Sequence, residues 1–396
     1  MKRYFCLMVC CCLLGSVCKA VMPGVGNFNA YRSLLEGKKV GIVANQTSVC
    51  CRYSEGPLQS EGQSALHTVD FLREQGICLE KIFCPEHGFR GDADAGEIVG
   101  DYRDPKTGLP VISLYGKKKK PTSEDLQGLD VLVFDIQDVG VRFYTYLSTL
   151  HYVMEACAEN QLPLIVMDRP NPNAFYIDGP VLEGKYRSFV GMHPVPVVYG
   201  MTIGEYARMI NGEGWLKDGM SCELTVIPCE NWTREMTVSL PRSPSPNLPD
   251  SVSVMLYPSV CLFEGTVVSE GRGTYTPFQL FGHPALKGMT FSFTPQSIPG
   301  MSKEPKCLGQ LCYGLDLRDK YEEVKAGRRL RMDWLLTAYR HYAGKTPFFT
   351  SFFEKLAGTE QLRRDIEAGK NEEEIRQGWE MELQRFCQMR ERYLIY

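Results

Sequence analysis

After its first twenty residues this 396-residue chain has no apolar run long enough to span a bilayer, and its net charge of only −3 shows no excess of either sign. The first absence excludes a membrane-spanning body, and the second gives no basis for a nucleic-acid or anionic-membrane partner. No Gly-x-Gly-x-x-Gly follows the first predicted strand, and Gly-x-x-x-x-Gly-Lys-Ser/Thr occurs nowhere. A dinucleotide or nucleoside triphosphate site is therefore unsupported. The six histidines, His67, His87, His151, His193, His283 and His341, form no His-Glu-x-x-His pattern, and no Cys-x-x-Cys pair occurs after residue 20. The metal signal is therefore weak, and His and Asp ligands from separate loops stay open.

The sixteen cysteines include five before residue 20, and the other eleven are an odd, scattered set that assigns no disulfide. Met1–Ala20 has a basic start at Lys2 and Arg3, the apolar run Phe5–Leu14 and small residues ending at Ala20, with no acid before Glu36. That layout reads as a signal peptide cut after Ala20, so the chain is expected to be exported, periplasmic or extracellular. Lipid attachment at Cys18 is the weaker alternative, because Gly15-Ser16-Val17 matches a lipidation signal poorly. The one basic run, Lys117–Lys120, reads as a solvated loop.

The first half alternates short β-branched runs with helical stretches. The runs are Lys39–Ala44, Lys81–Cys84, Val111–Leu114, Val131–Ile136 and Leu164–Met167, with helices predicted over Ser64–Gln75 and Tyr144–Asn160. Continuous apolar strands between helices predict an α/β fold, a Rossmann-like parallel sheet covered on both faces. Thr202-Ile203-Gly204-Glu205 is a capping box for a helix to about Asn211, and Glu223–Ile227 is a further strand. The proline-rich stretch Pro241–Pro249 divides the α/β domain, 21–245, from a smaller α+β domain, 246–396. That second domain is read as loops and strands over Val254–Phe293. Helices follow at Asp333–Tyr342, Ser351–Leu356 and Glu372–Tyr393.

Polar clusters follow four of the strands: Asn45-Gln46-Thr47, Pro85-Glu86-His87-Gly88, Gln137-Asp138-Val139-Gly140 and Asp168-Arg169-Pro170-Asn171. Open parallel sheets bind ligands beyond the carboxyl ends of their strands, so these clusters converge on a polar small-molecule site. Glu86 is a candidate general acid if Phe83 or Phe89 shields it from water. Around Asp138, the residues Arg142, Tyr144 and Tyr146 suit a sugar, with rings against a pyranose face and an arginine forked onto a carboxylate. The plainer alternative makes Asp138 a helix cap and the rings core. Ser245-Pro246-Asn247, and Glu264, Glu270 and Arg272 in two Gly-rich loops, complete the candidates.

These same motifs resemble one bacterial family, the exo-β-N-acetylmuramidases. The match runs in order from about Lys38 to Tyr396 and includes Tyr199-Gly200-Met201-Thr202-Ile203-Gly204-Glu205, Phe263-Glu264-Gly265-Thr266 and Ser269-Glu270-Gly271-Arg272-Gly273-Thr274. The resemblance implies a Rossmann-like domain, a smaller second domain, a cleft between them and no cofactor. It also implies release of N-acetylmuramic acid from the non-reducing end of peptidoglycan fragments.

On that footing Glu86 protonates the departing oxygen, and Asp138, Glu264 or Glu270 is the second carboxylate. Arg142 or Arg272 grips the lactyl carboxylate, and His87 orients Glu86 or binds a sugar hydroxyl. Asn45, Gln46, Tyr144, Tyr146, Asp168, Arg169, Asn171 and Asn247 are the remaining substrate-binding candidates. The expected partner is a muramyl saccharide, with at most a weak homodimer. Two alternatives stay open: a metal-assisted amidase or esterase with His87 and Asp135 or Asp138 as ligands, and a sugar-binding protein without turnover.

Overall fold

A computed structural model describes residues 20–53, 65–86, 88–90 and 100–396. The leader with Cys18, and His87, lie outside the described residues.

The first half builds β1 (Val40–Ala44), β2 (Val49–Cys50), β3 (Leu66–His67), β4 (Leu79–Cys84), β5 (Tyr102–Arg103), β6 (Pro110–Ser113), β7 (Val131–Asp135), β8 (Leu164–Met167) and β9 (Leu224–Ile227). Seven of these form one sheet in the order β5-β6-β4-β1-β7-β8-β9. Six run parallel, and the two-residue edge strand β5 is antiparallel to β6. Alternation along each strand divides the side chains between two cores. Val131 and Val133 pack with Tyr31, Leu35, Val69 and Leu72, from the helices Phe28–Leu35 and Thr68–Glu74. Leu132 and Phe134 pack with Leu147, Leu150, Met209 and Ile210, from the helices Tyr146–Glu159 and Ile203–Gly212. Both faces are covered, which is why the strands read as continuous apolar runs.

The second half carries β10 (Leu280–His283), β11 (Phe291–Phe293) and β12 (Cys312–Asp316), an antiparallel sheet in the order β10-β12-β11. Two expectations are corrected here. The residues after Pro249 open with a helix, Ser251–Val260, because the Asp250 side chain accepts the Ser253 N–H in a capping box. The expected helix Glu372–Tyr393 is two, Glu372–Gln377 and Glu380–Glu391. At the break, Gly378 N–H and Trp379 N–H bond to carbonyls three residues back, and the Trp379 ring turns inward and is buried.

The halves share one core. The Tyr257 ring meets Phe143 at 5.5 Å and Tyr144 at 6.0 Å, and the larger cluster runs from Val21 to Tyr393. The C-terminal Tyr396 returns to the first half, where its hydroxyl donates to Asp168 Oδ2 at 2.7 Å. Among the described residues, no helix is long and apolar enough to cross a membrane, and all eleven cysteines are free thiols.

Candidate active site

Because six strands are parallel, their carboxyl ends share one edge. The residues that follow them stand in strand order: Tyr115 after β6, Glu86 after β4, Asn45 after β1, Asp138 after β7 and Asp168 after β8. The chain order reverses at β1, the place where such sheets open a crevice.

Glu86 is half-buried, and its Oε2 accepts the Thr145 hydroxyl at 3.2 Å. The Tyr115 hydroxyl also bonds to it. Burial, followed by the Glu86 charge, pushes the Tyr115 phenol well up. Both partners are hydroxyls, which rotate to donate or accept. Phe83 and Phe89 are fully buried, in two different cores, and Tyr146 lies near enough to Glu86 for its phenol to be raised first by burial and then by that charge.

Behind Glu86 a ladder of rings crosses to the second half. Tyr146 and Tyr144 lie 4.7 Å apart, Tyr144 meets Tyr257, and Tyr257 meets Phe278 at 4.9 Å. Arg272 lies 5.1 Å over the Phe278 ring and bonds Glu264 through Nε and Nη2, at 3.0 and 2.7 Å. Its Nε also approaches Glu270, at 3.3 Å, and Lys306 holds the other Glu270 oxygen at 3.0 Å. Two carboxylates and two cations therefore balance. Glu270 is buried, whereas the Glu264 side chain keeps about a fifth of its surface in solvent. On the loop carrying Arg272, Tyr275 is 80% exposed.

Several residues expected to touch substrate are instead held in the frame behind this surface. Arg142 is 2% exposed and gives its terminal nitrogens to the carbonyls of Pro180, Val195, Leu356 and Ala357, at 2.7–2.8 Å. Burial without a counter-ion lowers its pKa to about 9. It is a strut between the halves and has no fork left for a lactyl carboxylate.

Tyr144 and Tyr146 are buried, and both hydroxyls donate to the Pro244 carbonyl, which also takes Gln46 Nε2 at 3.1 Å. These bonds pin the proline-rich loop to the strand ends, and neither ring is open to a pyranose. Asn45 is fully buried. Its Nδ2 donates to Tyr146 at 2.8 Å and its Oδ1 takes the Thr47 hydroxyl, so it sets the Tyr146 ring.

Asp168 accepts Gly204 N–H, Thr202 and Tyr396, at 2.7–2.8 Å, and so fixes the start of the Ile203–Gly212 helix. Burial, then the Glu205 charge, pushes its carboxyl up to about 6. Arg169 forks onto Asp135 at 2.7 and 2.9 Å and bonds Tyr53 and the Val49 carbonyl. Asn171 bonds the Met201 carbonyl, and Asn247 the Met301 carbonyl, both buried. Tyr53, Asp135, Asp168, Arg169 and Asn171 thus form a sealed polar frame.

Asp138 does not cap the next helix. Its Oδ2 takes Gly140 N–H at 2.7 Å and the Tyr199 hydroxyl, which shapes a turn where Gly140 has φ +78° and lies against Asn171. Its Oδ1 is enclosed with no hydrogen-bond partner among the described residues, and burial pushes the carboxyl up to about 6. Asp138 is therefore sealed from a reacting sugar. The metal-ligand reading also weakens, because both Asp135 oxygens are occupied by Arg169 and Thr68.

Sequence reasoning missed Tyr115, Thr145, Lys306 and Tyr275. Tyr275 alone had a signal, an aromatic three residues after Arg272 in a Gly-rich loop.

Residues 40–252 match the family described as "Exo-beta-N-acetylmuramidase NamZ, N-terminal", and residues 255–396 match its C-terminal counterpart. The chain is 43% identical over 387 residues to "Peptidoglycan beta-N-acetylmuramidase NamZ" of Bacillus subtilis (strain 168), covering 92% of this chain and 89% of that protein. Two crystal structures of DUF1343 family proteins from Bacteroides fragilis NCTC 9343 are similar. One has a TM-score of 0.86 at 42% identity, covering 96% of this chain and 99% of that one. The other has a TM-score of 0.74 at 29% identity, covering 95% and 99%.

Proposed function

This chain belongs to the exo-β-N-acetylmuramidase family, and from that premise we propose that Glu86 is the acid of its reaction. The activity is exo-acting glycoside hydrolysis on peptidoglycan, releasing N-acetylmuramic acid from the non-reducing end. The observation that carries the assignment is the half-buried Glu86 carboxyl just after β4, at the shared carboxyl edge of the parallel strands, with the Thr145 and Tyr115 hydroxyls on it.

In the proposed step Glu86 gives its proton to the glycosidic oxygen as the bond from the anomeric carbon to that oxygen breaks. The electron pair leaves with the departing saccharide, and positive charge develops on the ring. Of the three carboxylates considered for the second role, Glu264 is the one with solvent access. It faces the developing charge, or takes the proton of the water that completes hydrolysis. Arg272 is bonded through Nε and Nη2, and its Nη1 is the donor proposed for the lactyl carboxylate. The exposed Tyr275 ring covers the apolar face of a sugar. His87 is proposed to orient Glu86 or to bind a sugar hydroxyl.

With a muramyl-glucosamine disaccharide, Glu86→Gln should lower kcat at least about 100-fold with an unchanged melting temperature. Unaltered turnover removes Glu86 from the role. Tyr275→Ala should raise KM several-fold and spare kcat, and a loss in kcat alone contradicts stacking in the ground state.

The wall polymer as substrate supports export by the Met1–Ala20 leader, to the periplasm or the cell exterior. The exported protein should begin at Val21. A chain beginning at a lipidated Cys18 contradicts cleavage after Ala20.

A further inference from the structure

Glu86 receives Thr145, the residue that opens the long helix Tyr146–Glu159. Ser148, Tyr152 and Glu155 follow at helical spacing of three and four, so all share one stripe with Thr145. The stripe passes the buried Ser148, and its last two members, Tyr152 and Glu155, line a cavity of about 790 Å³. The rise of the helix puts Tyr152 about 10 Å from Thr145 along the axis, about the length of two linked pyranose rings.

Aromatic plates wall the cavity. Tyr152 stacks on Phe189 with centroids 6.3 Å apart and planes 18° from parallel, and Trp215 stacks on His193 at 4.7 Å and 16°. Phe189 is tied to the stripe because its carbonyl accepts the Ser148 hydroxyl at 2.6 Å.

Lys119, Arg187 and Lys217 line the same cavity, and none has a carboxylate partner among the described residues. The basic run Lys117–Lys120, read from sequence as a solvated loop, is sorted by this wall. Lys118 pairs with Asp101 and Asp125, and Lys120 with Glu155 and Glu159, whereas Lys119 sits 4.3 Å over the Phe189 ring. Of the two acids on the lining, Glu155 is already paired and Asp218 is exposed. The cavity is thus a net positive, aromatic-walled pocket on a protein of net charge −3.

We propose that this pocket is a subsite for the acidic sugar two residues beyond the scissile bond. The inference rests on the exo-acting reading above. With N-acetylmuramic acid at Glu86, the alternating polymer puts glucosamine next and a second lactyl carboxylate after it. Arg187 and Lys119 take that carboxylate, and Tyr152 and Trp215 offer the rings the face not stacked on Phe189 or His193. The pocket then favours long chain ends over the disaccharide.

The test compares the disaccharide with a muramyl-glucosaminyl-muramic acid trisaccharide, using wild type and the double variant Arg187→Gln, Lys119→Gln. Wild type should show a KM about tenfold lower for the trisaccharide, and the double variant should lose that advantage. A wild type with equal KM values, or a double variant that keeps the advantage, overturns the subsite. If wild type turns over neither sugar, the failure belongs to the activity. The pocket is then decided by equilibrium binding of the trisaccharide to the same two proteins. About tenfold weaker binding by the double variant supports it, and equal binding overturns it.

Discussion

At Asp138 burial pushes the carboxyl up to about 6, although Tyr199 and Gly140 N–H both favour its charged form. The value lies above that of a free Asp, so the protonated carboxyl stabilises the fold fully below about pH 4. That stabilisation is lost as pH rises through about 6. Asp138→Asn keeps an oxygen for Gly140 and Tyr199 and puts its amide where Oδ1 has no partner. The variant should therefore gain on wild type as pH rises, reaching about 3 kcal/mol above pH 7. Melting curves at pH 4 and pH 7.5 check this, and a difference that does not change with pH contradicts it. At this scale the sequence put Glu86 at a strand end, and it gave no sign that Arg142, Asp168, Arg169 and Asn171 are spent on their neighbours. Spacing shows that polar groups meet at the strand ends. It does not show which of them face solvent and which satisfy one another in a sealed frame, and the frame is the more numerous set here.

Among the elements, β1, β7 and β8 were legible because burial on both faces writes continuous apolar runs, and the partly buried β4, β6 and edge strand β9 were legible from shorter β-branched runs. The capping boxes at Thr202 and Asp250 bracket the contrast. The first precedes a helix with a clear polar face. The second precedes Val254-Met255-Leu256-Tyr257, buried all round and so without the periodicity that separates helix from strand. The Phe353–Ala357 helix is joined to the first half by Arg142 on the carbonyls of Leu356 and Ala357, and it ends at Gly358 with φ +81°. A Cβ at Gly358 would lie 2.7 Å from Arg142 Nη2. Gly358→Ala should therefore cost about 2–4 kcal/mol, from positive-φ strain and the displaced guanidinium together. Thermal unfolding reads the loss. Retained KM for the disaccharide in the folded fraction separates this strut from a substrate contact, and a raised KM at unchanged stability contradicts it.

Over the whole molecule, the two halves meet through shared aromatic core, the Arg142 strut and the returning C-terminal tail. Their junction is where the ring ladder carries the site from Glu86 to Glu264 and Arg272. The two-domain plan and the converging strand ends could be read from sequence. The ladder could not, because it joins Tyr146 to Phe278 across more than a hundred residues with no local pattern. The central claim is that Glu86 supplies the proton that lets a sugar alcohol leave. The most direct measurement compares kcat/KM of wild type and Glu86→Gln on two substrates, the muramyl-glucosamine disaccharide and a 4-nitrophenyl muramide whose leaving group needs no proton. The account predicts a loss of at least about 100-fold on the disaccharide and a much smaller loss on the nitrophenyl substrate. Equal losses on both would contradict it and move the acid to another residue.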